Sequence, residues 1–260
     1  MPDVTATTRL GVTVLTLGNG RANAVTPDMA DALAAQVAAL GDIGALVIRG
    51  AGAHFCAGSD VGELARLHEA GQGAGPLLRR ESAAFEAIAA LDIPVIAAVE
   101  GLCLGGGLEL ALCCDLIVAG DTARFGLPEA QLGAFPALGA PLRLPRRIGT
   151  GRALEMMLDG TEIDAATARD WGLVNRTVPA ARALPEAETW AIRLAQGPRA
   201  ARRALKRSLR AALALPEAEA IAAMLREAET LDRSPEITEG LRAFAARETP
   251  AFQAKDEPAQ

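Results

Sequence analysis

Apolar positions in the first half of the chain gather into short runs: "VTVLTL" (12–17), "ALVIRG" (45–50), "PVIAAV" (94–99) and "DLIVAG" (115–120). Their length and β-branched content predict strands, and their near-continuous apolar character predicts burial on both faces. Between them, "TPDMADALAAQVAAL" (26–40) and the stretch Leu77–Leu91 carry apolar residues at helical spacing. Thr26-Pro27-Asp28 is a helix start: Thr caps, Pro is tolerated in the first turn, and the acid complements the helix dipole. A further helix follows Gly105-Gly106-Gly107. Two such β/α units stack in sequence, so the pattern predicts an α/β core with mostly parallel pairing and helices outside.

After residue 184 the chain turns to Ala, Arg, Glu and Leu in four helical stretches, each opened by a proline. We therefore divide it into a core with the functional site, residues 1–184, and a helical region for packing and oligomerisation, residues 185–260. The apolar stripes of that region need cover from the core, a neighbouring subunit or both. The terminal "KDEPAQ" reads as a frayed end.

With 260 residues, half of them hydrophobic, the chain buries a large core. A net charge of −6, with arginines scattered among acids, argues against a nucleic-acid face and leaves room only for a local phosphate contact. Four cysteines in apolar surroundings without a Cys-x-x-Cys pair, and two histidines, make a metal site unexpected. The start "MPDVTATTRL" lacks the features of a signal peptide, and no apolar run reaches membrane-spanning length. The expectation is a soluble, cytoplasmic protein with reduced thiols and no membrane partner.

Chemistry concentrates in three segments. In "HFCAGSDVGEL" (54–64), Ala57, Gly58 and Ser59 allow a sharp turn whose N–H groups face a ligand oxygen; the plain alternative is a tight turn with Ser59 or Asp60 as an N-cap. "GLCLGGGLEL" (101–110) brings glycines to a helix start, where unpaired N–H groups suit an oxyanion. It does not fit Gly-x-Gly-x-x-Gly, so a dinucleotide phosphate loop is disfavoured. Glu109 lies among apolar residues, where burial raises a carboxyl pKa, or else it complements the helix dipole. "RFGLPEAQLGAFP" (124–136) carries Glu129 in a loop, either solvated or brought opposite Glu109 as an acid/base pair. His54 reads as a packing or capping group, His68 as a surface residue, the cysteines as core, and the basic run 198–210 as a solvated helix face. No Gly-x-Ser-x-Gly elbow supports Ser59 as a nucleophile.

In this order, "FCAGSD", "PVIAAVEGLCLGGGLELALCCDLIVAG", "ARFGLPEAQLG" and "GLVNRTVP", followed by a helical tail, the chain resembles the enoyl-CoA hydratase/isomerase (crotonase) family from about residue 10 to residue 252. The resemblance implies a ββα spiral core, C-terminal trimerising helices, and a homotrimer or dimer of trimers. It implies an acyl-CoA thioester as substrate, with CoA part of that substrate and no separate cofactor. Carried over by position, the backbone N–H groups of Ser59 and Gly106 form the oxyanion hole, and Glu109 and Glu129 do the acid/base work. Ala57, Ser59, Asp60 and Val61 line the CoA moiety, and Ala22 meets its adenosine part. The implied reaction is syn addition of water to a trans-2-enoyl-CoA. Isomerisation or another reaction on a CoA thioester is the alternative, and a non-catalytic CoA-thioester binder is disfavoured because both glutamates are kept. Departures from the family pattern are Gly62 where lysine is common, Ser59 where alanine is common, and Ala137 and Ala140 where glycines are frequent. Together with bulky Phe135 and Leu138, these imply a narrower or reshaped acyl pocket.

Overall fold

Strands β1 (Asp3–Arg9) and β2 (Val12–Gly18) form an antiparallel hairpin whose two-residue turn, Leu10-Gly11, holds both residues at positive φ (52° and 72°). That turn geometry matches the twist of the flanking strands. The pattern of apolar runs does not announce β1, because only Val4 of its inward positions is apolar and buried, as befits an edge strand. The computed structural model describes residues 3–252, and the terminal "KDEPAQ" lies outside the described residues.

The chain continues through α1 (Pro27–Ala38), capped by Thr26, whose Oγ1 accepts from the Met29 N–H at 3.3 Å, and then β3 (Ala45–Gly50). Helices α2 (Val61–Glu69) and α3 (Gly75–Ala89) lead to β4 (Val95–Val99), β5 (Leu102–Leu104), α4 (Gly106–Cys113), β6 (Leu116–Gly120) and β7 (Arg124–Gly126). A 3₁₀ turn (Pro128–Leu132) precedes α5 (Ala140–Ile148), α6 (Thr150–Asp159), β8 (Ile163–Asp164), α7 (Ala165–Trp171) and β9 (Arg176–Val178). Four helices close the described chain: α8 (Ala183–Ala195), α9 (Arg199–Ala214), α10 (Glu217–Leu231) and α11 (Pro235–Ala246).

The main sheet has the order β1-β2-β3-β4-β6-β9 and is parallel from β2 onward, while β5, β7 and β8 form a small second sheet. The apolar runs lack alternation because both faces of the main sheet are covered. Leu15, Leu17, Leu46, Ile48 and Val99 share a core with α1, α3 and α4. Val12, Val14, Ala45, Val47 and Ile96 pack on the opposite side against α8. That helix turns Ala183, Ala187, Ala191 and Ala195 inward, a stripe of small side chains at four-residue spacing that lets it lie close to the sheet. A boundary after residue 184 therefore falls inside a helix that belongs to the core by packing.

The basic run 198–210 is not a solvated face. Lys206 pairs with Asp115 at 2.6 Å, Arg203 with Asp42 at 2.8 Å, and Arg207 with both Asp92 (3.1 Å) and Glu227 (2.7 Å), with Arg210 also on Asp92. These charges dock α9 onto the core and onto α10, and their acidic partners lie far away in sequence. No helix among the described residues is long and apolar enough to cross a membrane. Enlarging the alanine stripe should separate α8 from the sheet: we expect Ala191→Leu to cost about 1–3 kcal/mol, read as a lower urea midpoint at unchanged slope.

Candidate active site

Glycines let two backbone segments meet. Gly105 has φ 52° and ψ −129°, a conformation that side chains resist, and it turns the chain from β5 into α4. A Cβ on Gly107 would lie 2.1 Å from the carbonyl oxygen of Cys56, so only glycine lets the first turn of α4 rest on the segment Cys56–Ser59. Cys56 and Cys103 continue that contact as an isolated parallel bridge.

The segment is also tied from its other side. Buried Asn23, itself at φ 52°, donates from Nδ2 to the carbonyls of Ala51 (2.9 Å) and His54 (2.8 Å). The Ala57 N–H donates to Ala22 O (2.9 Å), Val25 N–H to Gly58 O (2.8 Å), and Asp60 N–H to Val25 O (2.9 Å). Among the described residues, the N–H groups of Ser59 and Gly106 have no protein acceptor. They are neighbours: the Cβ position of Gly106 lies 3.4 Å from the Ser59 nitrogen. Two unpaired N–H groups side by side can bind one oxygen atom and favour it as it becomes anionic.

Two carboxyl groups flank this pair. Glu109 sits on α4, a helix buried along its whole length, and is 2 % exposed. Its Oε1 accepts from the N–H groups of Leu138 (2.8 Å) and Ala140 (2.9 Å), which fixes the group and leaves Oε2 without a protein donor among the described residues. Burial pushes its pKa up to about 7, with a further push from Glu129 and Glu81, against the pull of the two N–H donors. Glu129, in the 3₁₀ turn, is raised by burial; its Oε1 lies 3.0 Å from the Cβ position of Gly105, and its buried Oε2 has no partner among the described residues.

Of the remaining residues singled out from the sequence, Ala22 and Ala57 meet through the backbone bond given above. Asp60 caps α2 by accepting from the Glu63 N–H at 3.1 Å, and exposed Val61 follows it on the rim. His54 accepts from the Leu102 N–H through Nδ1, His68 is exposed, and all four cysteines are buried. The bulky segment after Glu129 splits. Leu138 turns inward, its Cδ1 3.5 Å from the Cβ position of Gly106, whereas Phe135 is 70 % exposed and does not narrow a pocket within this chain. Leu138 and Ala140 contribute their N–H groups, so the two positions serve Glu109 through the backbone.

Sequence reading misses two residues here, Asn23 and Glu81. Glu81 lies on the buried stripe of α3 with Leu77, Ala84, Phe85 and Ile88, is 0 % exposed, and accepts from the Ser59 hydroxyl at 2.7 Å. Burial pushes its pKa up to about 7. The signal was present: position 81 falls four residues after Leu77 and four before Phe85, on the apolar face, although it is flanked by polar Arg80 and Ser82.

A family model described as enoyl-CoA hydratase/isomerase matches residues 7–255. The protein named "Probable enoyl-CoA hydratase echA8" of Mycobacterium bovis is 37 % identical over 81 % of this chain and 80 % of its own. The "Mevalonyl-coenzyme A hydratase SIDH" of Beauveria bassiana is 46 % identical over 57 % of this chain and 56 % of its own. The crystal structure of an enoyl-CoA hydratase from Bacillus anthracis superposes with a TM-score of 0.88 at 30 % identity, covering 98 % of this chain and 99 % of that one.

The raised carboxyls give a stability prediction. Glu81 and Glu109 ionise near 7 when folded but near their ordinary value of 4.5 when unfolded, so the folded state retains protons that the unfolded state has lost. Their contribution is complete below about 4.5 and is lost as pH rises through about 7. Asp92, Glu227 and Glu239 are held below their ordinary range by arginines, so they act only below this window. We expect Tm to fall from pH 5 to pH 7.5 and Glu81→Gln to flatten that slope; a Tm that rises through the window would contradict it.

Proposed function

Because the chain belongs to the enoyl-CoA hydratase/isomerase family, whose members act on acyl-CoA thioesters, we propose that it hydrates a trans-2-enoyl-CoA. The observation that carries this reading is the pair of unpaired N–H groups, Ser59 and Gly106, beside two carboxyls of raised pKa. The thioester oxygen accepts from both N–H groups, which polarises the conjugated double bond and stabilises the enolate as it forms. Ionised Glu109, held through Oε1, takes a proton from a water whose oxygen bonds to Cβ. Protonated Glu129 delivers a proton to Cα, and proton exchange with water resets the pair. The route draws on no metal or redox group. Ala22, Ala57, Asp60 and Val61 receive the CoA portion in this reading.

The name of the Beauveria relative points to mevalonyl-CoA and that of the mycobacterial relative to enoyl-CoA in general. Hydration of a CoA thioester is what these names share, and it is the part transferred to this chain.

We also infer self-association into a trimer or a dimer of trimers. Helices α9 to α11 expose Leu205 (69 %), Leu209 (58 %), Leu241 (65 %) and Phe244 (85 %), while the charged side of α9 is spent on the core. A second copy of the same apolar surface is the cover this reading supplies.

Following the ultraviolet absorbance of crotonyl-CoA tests the activity. We expect Glu109→Gln and Glu129→Gln each to lower kcat about 10²–10⁴-fold while thioester binding changes little. Near wild-type turnover in either variant rejects the assignment, and migration of the double bond in a 3-enoyl-CoA without water addition selects isomerisation instead. For assembly, Leu205→Glu should move the mass measured by light scattering from an oligomer to a single chain.

A further inference from the structure

The hydration route leaves one buried acid unused. Glu81 is 0 % exposed, its Oε2 accepts from the Ser59 hydroxyl at 2.7 Å, and its Oε1 is buried without a partner among the described residues. A carboxyl oxygen buried and unpaired costs stability unless something binds it. The group is not remote from the chemistry. Ser59 contributes its N–H to the hole, and its Oγ lies 3.3 Å from the Cβ position of Gly106. The charge of Glu81 is also felt at Glu109. Leu138 lines the same wall, with Cδ1 3.5 Å from that Cβ position, and is the apolar neighbour a simple alkyl chain would need.

We propose that Glu81, presented by α3 and oriented by the Ser59 hydroxyl, is a specificity-determining residue that binds a hydroxyl group on the substrate's acyl chain through Oε1. This rests on the CoA-thioester reading and narrows it to hydroxylated enoyl thioesters. The thioester oxygen is taken by the N–H pair, and Cα and Cβ by Glu109 and Glu129, so what remains of the substrate for Glu81 is the acyl chain beyond Cβ or a branch on it. A hydroxyl matches either state of the acid. It donates to a carboxylate oxygen and accepts from a protonated one, and Glu81, with its pKa pushed up to about 7, populates both near neutrality. An alkyl chain leaves Oε1 unpaired and dry, which a site built for a hydroxyl rejects strongly.

The test compares trans-2-pentenoyl-CoA with its 4- and 5-hydroxy derivatives, and trans-2-hexenoyl-CoA with its 4-, 5- and 6-hydroxy derivatives, on the full chain, by loss of enoyl absorbance. Calorimetric binding of pentanoyl-CoA and 5-hydroxypentanoyl-CoA is measured alongside. At least one hydroxylated substrate should exceed its plain counterpart in kcat/KM by on the order of 10²-fold or more. Glu81→Leu, with folding checked by thermal unfolding, should bring that ratio to about one, and Glu81→Gln, whose carboxamide oxygen still accepts, should keep part of it. A merely structural role for Glu81 changes turnover of both substrates together and leaves the ratio alone. Equal use of plain and hydroxylated thioesters by the unaltered protein, or a preference that survives in Glu81→Leu, overturns the subsite while the hydratase reading stands. Neither binding nor turnover of any thioester overturns both.

Discussion

Everything at this site follows from how closely two stretches of backbone approach each other. The carbonyl of Cys56 occupies the space where any side chain at position 107 would sit, so the first turn of α4 and the turn at Cys56–Ser59 touch main chain to main chain. That contact sets Ser59 N–H beside Gly106 N–H and points the start of a buried helix at one spot. Other parts brace this contact: Asn23 and the Ala22–Val25 backbone from outside, the bonds of Leu138 and Ala140 to Glu109 from within. A pair of main-chain donors needs no reorganisation to meet an oxygen that turns anionic, because the fold already holds both in place.

The same arrangement makes the region expensive to fold. Three carboxyl groups, Glu81, Glu109 and Glu129, lie in a poorly solvated wall, and each is pushed toward its neutral form. Two of them, Glu81 and Glu129, keep a buried oxygen unpaired among the described residues. Proteins accept such groups where activity requires them and offset them elsewhere. Here the compensation is the two-sided sheet, whose strands bury side chains on both faces, and the charge pairs that fasten α9 to the core.

Much of this was legible in the sequence because it depends on local pattern. Continuous apolar runs announced the parallel strands, Thr26-Pro27-Asp28 announced α1, and three glycines before Glu109 announced a helix start with exposed donors. What stayed hidden depends on partners distant in the chain. The arginines of α9 look solvated until Asp42, Asp92 and Asp115 are brought to them. Strand β1 is an edge exposed beyond Val4 and carries no strong hydrophobic signal. Phe135 suggested a narrowed pocket by its size, yet backbone direction after the 3₁₀ turn sends it outward. Glu81 reads as one more charge in a polar helix until its face of α3 is known.

Ser59 separates two duties that most reactive residues combine. In the proposed reaction its main chain serves the step common to every substrate, while its hydroxyl reaches Glu81 and the wall behind. Inheritance can alter the second without touching the first, since any side chain but proline leaves the peptide N–H in place. In the proposed scheme position 59, with position 81 as its counterpart, is thus a point where a lineage can change its diet of substrates while keeping its chemistry intact.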